Sequence, residues 1–100
     1  MAQFDVYRNA EGIYPMVVDI QSDALSKLTS RVVVPVMRRD RYLAPLDRAT
    51  PVVAIKGVDY VLLVPLLSAV SGSSLGKSIA SVASHRGDVI AAVDMVFTGS

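Results

Sequence analysis

Pro51-Val52-Val53-Ala54-Ile55-Lys56-Gly57-Val58-Asp59-Tyr60-Val61-Leu62-Leu63-Val64 holds two apolar, β-branched runs joined by a short polar break. Val, Ile and Tyr suit a pleated, half-buried surface, so residues 51–55 and 60–64 are expected to pair as antiparallel strands. Lys56-Gly57-Val58-Asp59 is the turn between them, and Gly57 supplies the positive φ that a tight hairpin commonly requires. This hairpin sets the chain down as a β protein, and the segments on either side extend it.

Upstream, Gln3-Phe4-Asp5-Val6-Tyr7 alternates, with Phe4 and Val6 pointing one way and Gln3, Asp5 and Tyr7 the other. Residues 8–12 form a polar turn, and 14–21 resume strand character. Met16, Val18 and Ile20 then share an inner side, while Val17, Asp19 and Gln21 lie on the other. These two strands are expected to form a hairpin with one wet face. Residues 22–30 are polar, with a short helical turn around Ala24 and Leu25, two apolar residues expected to be exposed. Arg31-Val32-Val33-Val34-Pro35-Val36-Met37 reads as a strand buried on both faces, and Pro35 assigns its far half to an edge or a bulge. Arg38-Arg39-Asp40-Arg41 is a charged turn, and 42–50 a long loop.

Downstream, residues 68–84 are rich in Ser, Gly and Ala, with a short strand or helical turn expected near 79–83. Within it, Ser71-Gly72-Ser73-Ser74-Leu75-Gly76-Lys77-Ser78 ends in Gly-Lys-Ser like a phosphate-binding loop. Gly72 stands one residue too close to Gly76 for that motif, and no strand-helix-strand frame surrounds it. Residues 84–100 then read as a helix capped by Ser84. At 100° per residue, Val89, Ile90, Val93, Val96 and Phe97 fall on an inner face, and Asp88, Ala91, Ala92, Asp94, Met95 and Thr98 on an outer one. That outer face is poor in charge, which allows a contact surface there, although periodicity alone favours a helix packed on a sheet with an ordinary exterior. Strands followed by one helix, without strand-helix alternation, predict a small antiparallel barrel or a pair of sheets covered by the helix.

One hundred residues amount to a single domain over the full length, and 52% hydrophobic residues argue against disorder. The absence of cysteine removes disulfides and thiolate metal sites. Net charge is +1, so bulk electrostatics give no case for nucleic-acid binding. Neither a signal-peptide pattern nor an apolar run of about 20 residues is present, and the expected location is the cytoplasm. No cofactor or metal is expected. His85 is the single histidine, and no nucleophile elbow surrounds any serine. Asp88 and Asp94 do not share a ridge of the helix, so no acid-base pair is legible. The expectation is a protein that acts by binding and not as an enzyme.

Phe4-Asp5-Val6-Tyr7, Val18-Asp19-Ile20-Gln21-Ser22-Asp23, Arg31-Val32-Val33-Val34-Pro35, Pro51-Val52-Val53, and the closing Ser84-His85-Arg86 with Phe97 and Gly99 occur in the same order in the CcdB toxins. The chain resembles that family over essentially its whole length. The resemblance implies an SH3-like antiparallel barrel with a C-terminal helix, assembled as a homodimer. It further implies a cytoplasmic, non-enzymatic toxin of plasmid-maintenance type that poisons the A subunit of DNA gyrase and is neutralised by a CcdA-like antitoxin. Carried onto this sequence, the gyrase contact falls on Asp94, Thr98, Gly99 and Ser100, with Ala24 and Leu25 beside them. The gyrase poisons of the family end in Trp-Gly-Ile, where this chain has Thr98-Gly99-Ser100. Loss of an aromatic anchor of that kind removes on the order of 2 kcal/mol of binding. The resemblance therefore also allows a retargeted or inactive homologue that binds antitoxin without poisoning gyrase. An RNA-cleaving toxin on the same type of barrel, using the Arg38–Arg41 cluster, is the third expectation.

Overall fold

The computed structural model describes residues 2–9 and 12–99. Seven strands form one antiparallel sheet: β1 (Asp5–Arg8), β2 (Met16–Asp19), β3 (Ser30–Arg38), β4 (Val52–Ile55), β5 (Val58–Leu62), β6 (Ser68–Ser71) and β7 (Ala80–Ser81). The order β4-β5-β3-β2-β1-β7, with β6 also on β3, curls this sheet into a nearly closed barrel. One α-helix among the described residues, α1 (Arg86–Thr98), follows the last strand.

Both expected hairpins are present. β1 pairs with β2 in the register Val6 to Val18, and β4 pairs with β5 in the register Ile55 to Val58. The second hairpin turns on two residues only, because Lys56 and Gly57 both take positive φ, 52° and 80°. That is the type I′ geometry whose twist matches its flanking strands. Val58 and Asp59 accordingly belong to β5 and not to the turn. The stretch 42–51 has no regular structure beyond an Asp47–Thr50 turn, in which the Thr50 hydroxyl accepts from the Asp47 N–H at 2.9 Å.

Pro35 departs from its expected place at an edge or bulge, for it lies inside the sheet. β3 pairs with β6 along 30–33 and with β5 along 36–38, so Pro35 stands where the partner on that side changes. Its carbonyl accepts from Leu63 N–H at 3.0 Å on that same side. The missing proline N–H thus points into the gap between two ladders, where no strand residue needs it. β6 itself is an element that the Ser-rich composition of 68–84 did not reveal.

The inner face carries the core: Phe4, Val6, Met16 and Val18 meet Val34, Val36, Val53 and Leu62, closed by Val82, Val89 and Ala92. Phe4 sits in the left-handed region at φ 73°, which costs a side-chain-bearing residue about 1–2 kcal/mol. Its buried ring and two backbone bonds hold it there: its N–H donates to Asp19 C=O at 2.6 Å, and its C=O accepts from Val82 N–H at 2.9 Å.

The face expected to be wet is buried as well. Tyr7, Asp19, Gln21 and Arg31 are all nearly inaccessible, at 1%, 0%, 6% and 1%. Alternation located Tyr7, Asp19 and Gln21 on the second face correctly, Arg31 joins them from β3, and only the path of the rest of the chain covers that face. The connection from β6 to β7 starts beside β3 and ends beside β1, and Leu75 and Ile79 from it share a cavity with Val17 and Val33.

Candidate functional surface

The helix is fastened at its start by side-chain bonds and along its length by packing on the core. A tight 3-10 turn over Ala83–His85 delays α1 to Arg86, so Ser84 is not its cap; His85 holds that position without a side-chain capping bond. The His85 ring is committed elsewhere: its Nε2 accepts the backbone N–H of Ala54 at 3.2 Å and ties the helix entry to β4. Arg86 lies over the Phe4 ring at 5.5 Å and donates to Gln3 Oε1 at 3.3 Å. Farther along, α1 packs on the 3-10 turn Val64–Leu66.

At the other end Gly99 takes φ 73° and its N–H donates to Met95 C=O at 3.1 Å, a left-handed C-cap that any side chain would strain. Thr98 Oγ1 donates back to Asp94 C=O at 2.7 Å. Gly99 and Thr98 therefore shape the helix end whatever else they touch. Ser100, the last residue expected at the contact, lies outside the described residues.

The helix faces correct the sequence expectation. Val89 and Ala92 are buried, Val93, Met95 and Val96 are half-buried, and Phe97 and Ile90 point out at 68% and 38% exposure. Ala92 was expected outside and Phe97 and Ile90 inside. The buried stripe is turned toward the Ala92 side, because a small residue lets the helix backbone approach the barrel closely while a phenyl ring there would hold it off. Asp94 and Thr98 are exposed as expected. The outward side of α1 thus displays Ile90 in its first half, and the Phe97 ring and the Asp94 carboxylate toward its end.

Ala24 and Leu25 are exposed on a 3-10 turn, Asp23–Leu25, at the far end of β2. The turn hangs on a polar network. Ser22 Oγ accepts from Ala24 N–H at 3.2 Å, and Gln21 Nε2 donates to Leu25 C=O at 3.0 Å. Gln21 Oε1 also accepts from Val32 N–H at 3.1 Å, and Asp23 Oδ1 from Gln3 N–H at 2.8 Å. Beneath them, Asp19 Oδ1 accepts from Gln21 N–H at 2.9 Å, and its Oδ2 accepts from Arg31 Nε at 2.8 Å. Arg31 Nη2 is 2.7 Å from the same Oδ2 but off the hydrogen-bond direction, so the pair is joined by charge and one well-aimed bond. Burial, then the negative charges of Asp5 and Asp19, push the neighbouring Tyr7 phenol above its ordinary pKa. Sequence reasoning missed this network; its signal was a carboxylate and an arginine on strands otherwise made of valine.

Gln3 links the turn to the start of α1, its N–H donating to Asp23 Oδ1 at 2.8 Å and its Oε1 accepting from Arg86 at 3.3 Å. The Arg38–Arg41 cluster forms an exposed turn in which Arg38 and Asp40 pair at 3.0 Å. No group of His, Asp and Glu among the described residues is arranged to hold a metal ion. No helix among them is long and apolar enough to cross a membrane.

The family model described as CcdB protein matches residues 3–99. The chain belongs to the CcdB family. No protein of curated function matches the sequence. Among solved structures, an endoribonuclease in complex with its cognate antitoxin from a mycobacterial species is similar at a TM-score of 0.75 and 12% identity, over 96% of this chain and 93% of its own. A crystal structure of an Mtb toxin is similar at 0.63 and 20% identity, over 92% of this chain and 99% of its own. At these identities the likeness is one of fold. CcdB membership on this fold sets the chain among the toxins of toxin-antitoxin systems.

Proposed function

We propose that this CcdB-family protein binds the A subunit of DNA gyrase through the outward end of α1, poisons it, and is neutralised by a CcdA-like antitoxin. The observation that supports this most is Phe97. Where the gyrase poisons carry a terminal Trp, this chain has Thr98, yet an aromatic ring 68% exposed stands one residue earlier beside Asp94 and the Gly99 cap. Exposed aromatics are frequent interface anchors. Homodimer formation would add second copies of Ala24, Leu25 and the helix end to the contact surface. Action by binding, without catalysis, is supported by His85, whose Nε2 is already occupied by a backbone N–H.

The test is induced expression in a gyrase-sensitive bacterial host, with and without the cognate antitoxin, beside a cleavage-complex assay with purified gyrase. Growth arrest relieved by antitoxin, and stabilised cleavage complexes lost in Phe97→Ala, are the expected results. Absence of both arrest and cleavage complexes overturns the proposal. Binding of the antitoxin tail without gyrase binding selects the retargeted homologue, which the Thr98-Gly99-Ser100 end favours. RNA cleavage abolished by substitutions in Arg38–Arg41 would select a ribonuclease instead.

A further inference from the structure

The segment between β6 and β7 leaves a space beneath it. A cavity of about 650 Å³ lies between this crossover and the second face of the sheet, within the size range of small-ligand pockets. Val17, Val33 and Val70 line it from the strands, and Leu75 and Ile79 from the crossover. Among the described residues, the charged side chains lining it are Arg8 and Lys77, both exposed, and none of the lining residues is a carboxylate. Neither cation is in an ion pair among the described residues.

From this arrangement we infer that the cavity binds a small organic acid with an apolar body: the body lies on the aliphatic walls and the carboxylate meets Arg8 and Lys77. Aliphatic side chains favour a hydrocarbon by removing it from water, and two cations that make no ion pair among the described residues favour an anionic head. A phosphate-rich ligand is disfavoured by the same loop that its Gly-Lys-Ser ending brings to mind. Its hydroxyls are spent internally, with Ser74 Oγ donating to Ser71 C=O at 2.7 Å and Ser78 Oγ to Ala80 C=O at 3.2 Å. Leu75 N–H is likewise used, donating to Gly72 C=O at 3.2 Å. The pocket is separate from the helix end and owes nothing to gyrase binding.

Gly76 offers a way to close it. A side chain added there meets no atom within 4 Å of its Cβ, and the backbone is not left-handed. The experiment follows amide resonances of the isotope-labelled protein during titration with octanoate, with octanol as the uncharged analogue. Saturable shifts confined to residues 8–9, 17, 33, 70 and 74–79 are expected. Arg8→Ala with Lys77→Ala should weaken octanoate by about tenfold or more, and Gly76→Trp should abolish binding. Unbound spectra of the variants check that they are folded; should the Trp variant not fold, the surface double variant carries the test alone. No saturable shift at millimolar octanoate, equal binding of octanol, shifts centred on Ile90 and Phe97, or undiminished affinity in the folded double variant would each overturn the assignment.

Discussion

The turn bearing Ala24 and Leu25 and the end of α1 bearing Asp94 to Gly99 are two exposed, mostly apolar displays, but they are held by opposite means. The first rests on Asp19, Gln21 and Arg31, buried polar groups that bond to one another and to backbone. The second rests on Val89 and Ala92 against the barrel and on a glycine cap. Directional bonds in a low-dielectric interior fix a loop, which has no ladder of its own, in one geometry. A helix already satisfies its backbone and needs only a stripe of contact to be positioned. The difference predicts that the turn is sensitive to single polar substitutions that the helix end would tolerate.

Removing one member of the buried pair should have the largest effect. Arg31→Ala leaves Asp19 charged and unpaired in the interior and should cost about 3–5 kcal/mol, read by urea denaturation. Replacing both, Asp19→Leu with Arg31→Met, should cost less than either single change; a sum of the two costs would show that the pair is not the unit described here. On the helix side, Val89→Ala should cost about 2 kcal/mol, since it removes two buried methylene equivalents and leaves a small cavity. Gly99→Ala should cost about 1 kcal/mol, because φ 73° is strained for alanine. Phe97→Ala should stay within about 0.5 kcal/mol of the parent stability. A larger loss would mean that the ring packs inward and is not available to a partner.

The phenol of Tyr7 gives a pH-dependent contrast. Its pKa is raised in the folded state, so the native protein holds this proton more firmly than the unfolded chain. The contribution is fully present below the ordinary tyrosine pKa and is lost as pH rises from there through the raised folded value. Stability followed by denaturant titration should therefore fall in the alkaline range, and Tyr7→Phe should fall less steeply than its parent.

Local pattern was a good guide where one neighbour in sequence decides the outcome. The β-branched runs around Lys56-Gly57, the alternation of Met16 and Val18, and the short turn at Ala24-Leu25 all rest on local sterics and turn chemistry, whereas Phe4, expected in the first strand, lies before it at φ 73°. The sequence pattern also marked residues 84–100 as helical, and the helix forms over Arg86–Thr98. It could not show which way that helix is rotated, because hydrophobicity ranks Phe97 above Ala92 while packing against a barrel rewards the smaller residue. The same limit hid the Asp19–Arg31 pair: the two residues are 12 positions apart and meet because β2 and β3 pair with Asp19 opposite Val33.

By itself, then, the sequence determined the strands other than β6, the hairpins, the closing helix and the likeness to CcdB toxins, all of which follow from short-range preference and residue order. The tertiary structure alone decided what those elements expose: it turned Phe97 outward, buried a charge pair under the Ala24 turn, and laid the Ser-rich crossover over the sheet with a pocket beneath. Exposure is a property of what packs on a residue from far along the chain, and it is settled only when the sheet closes.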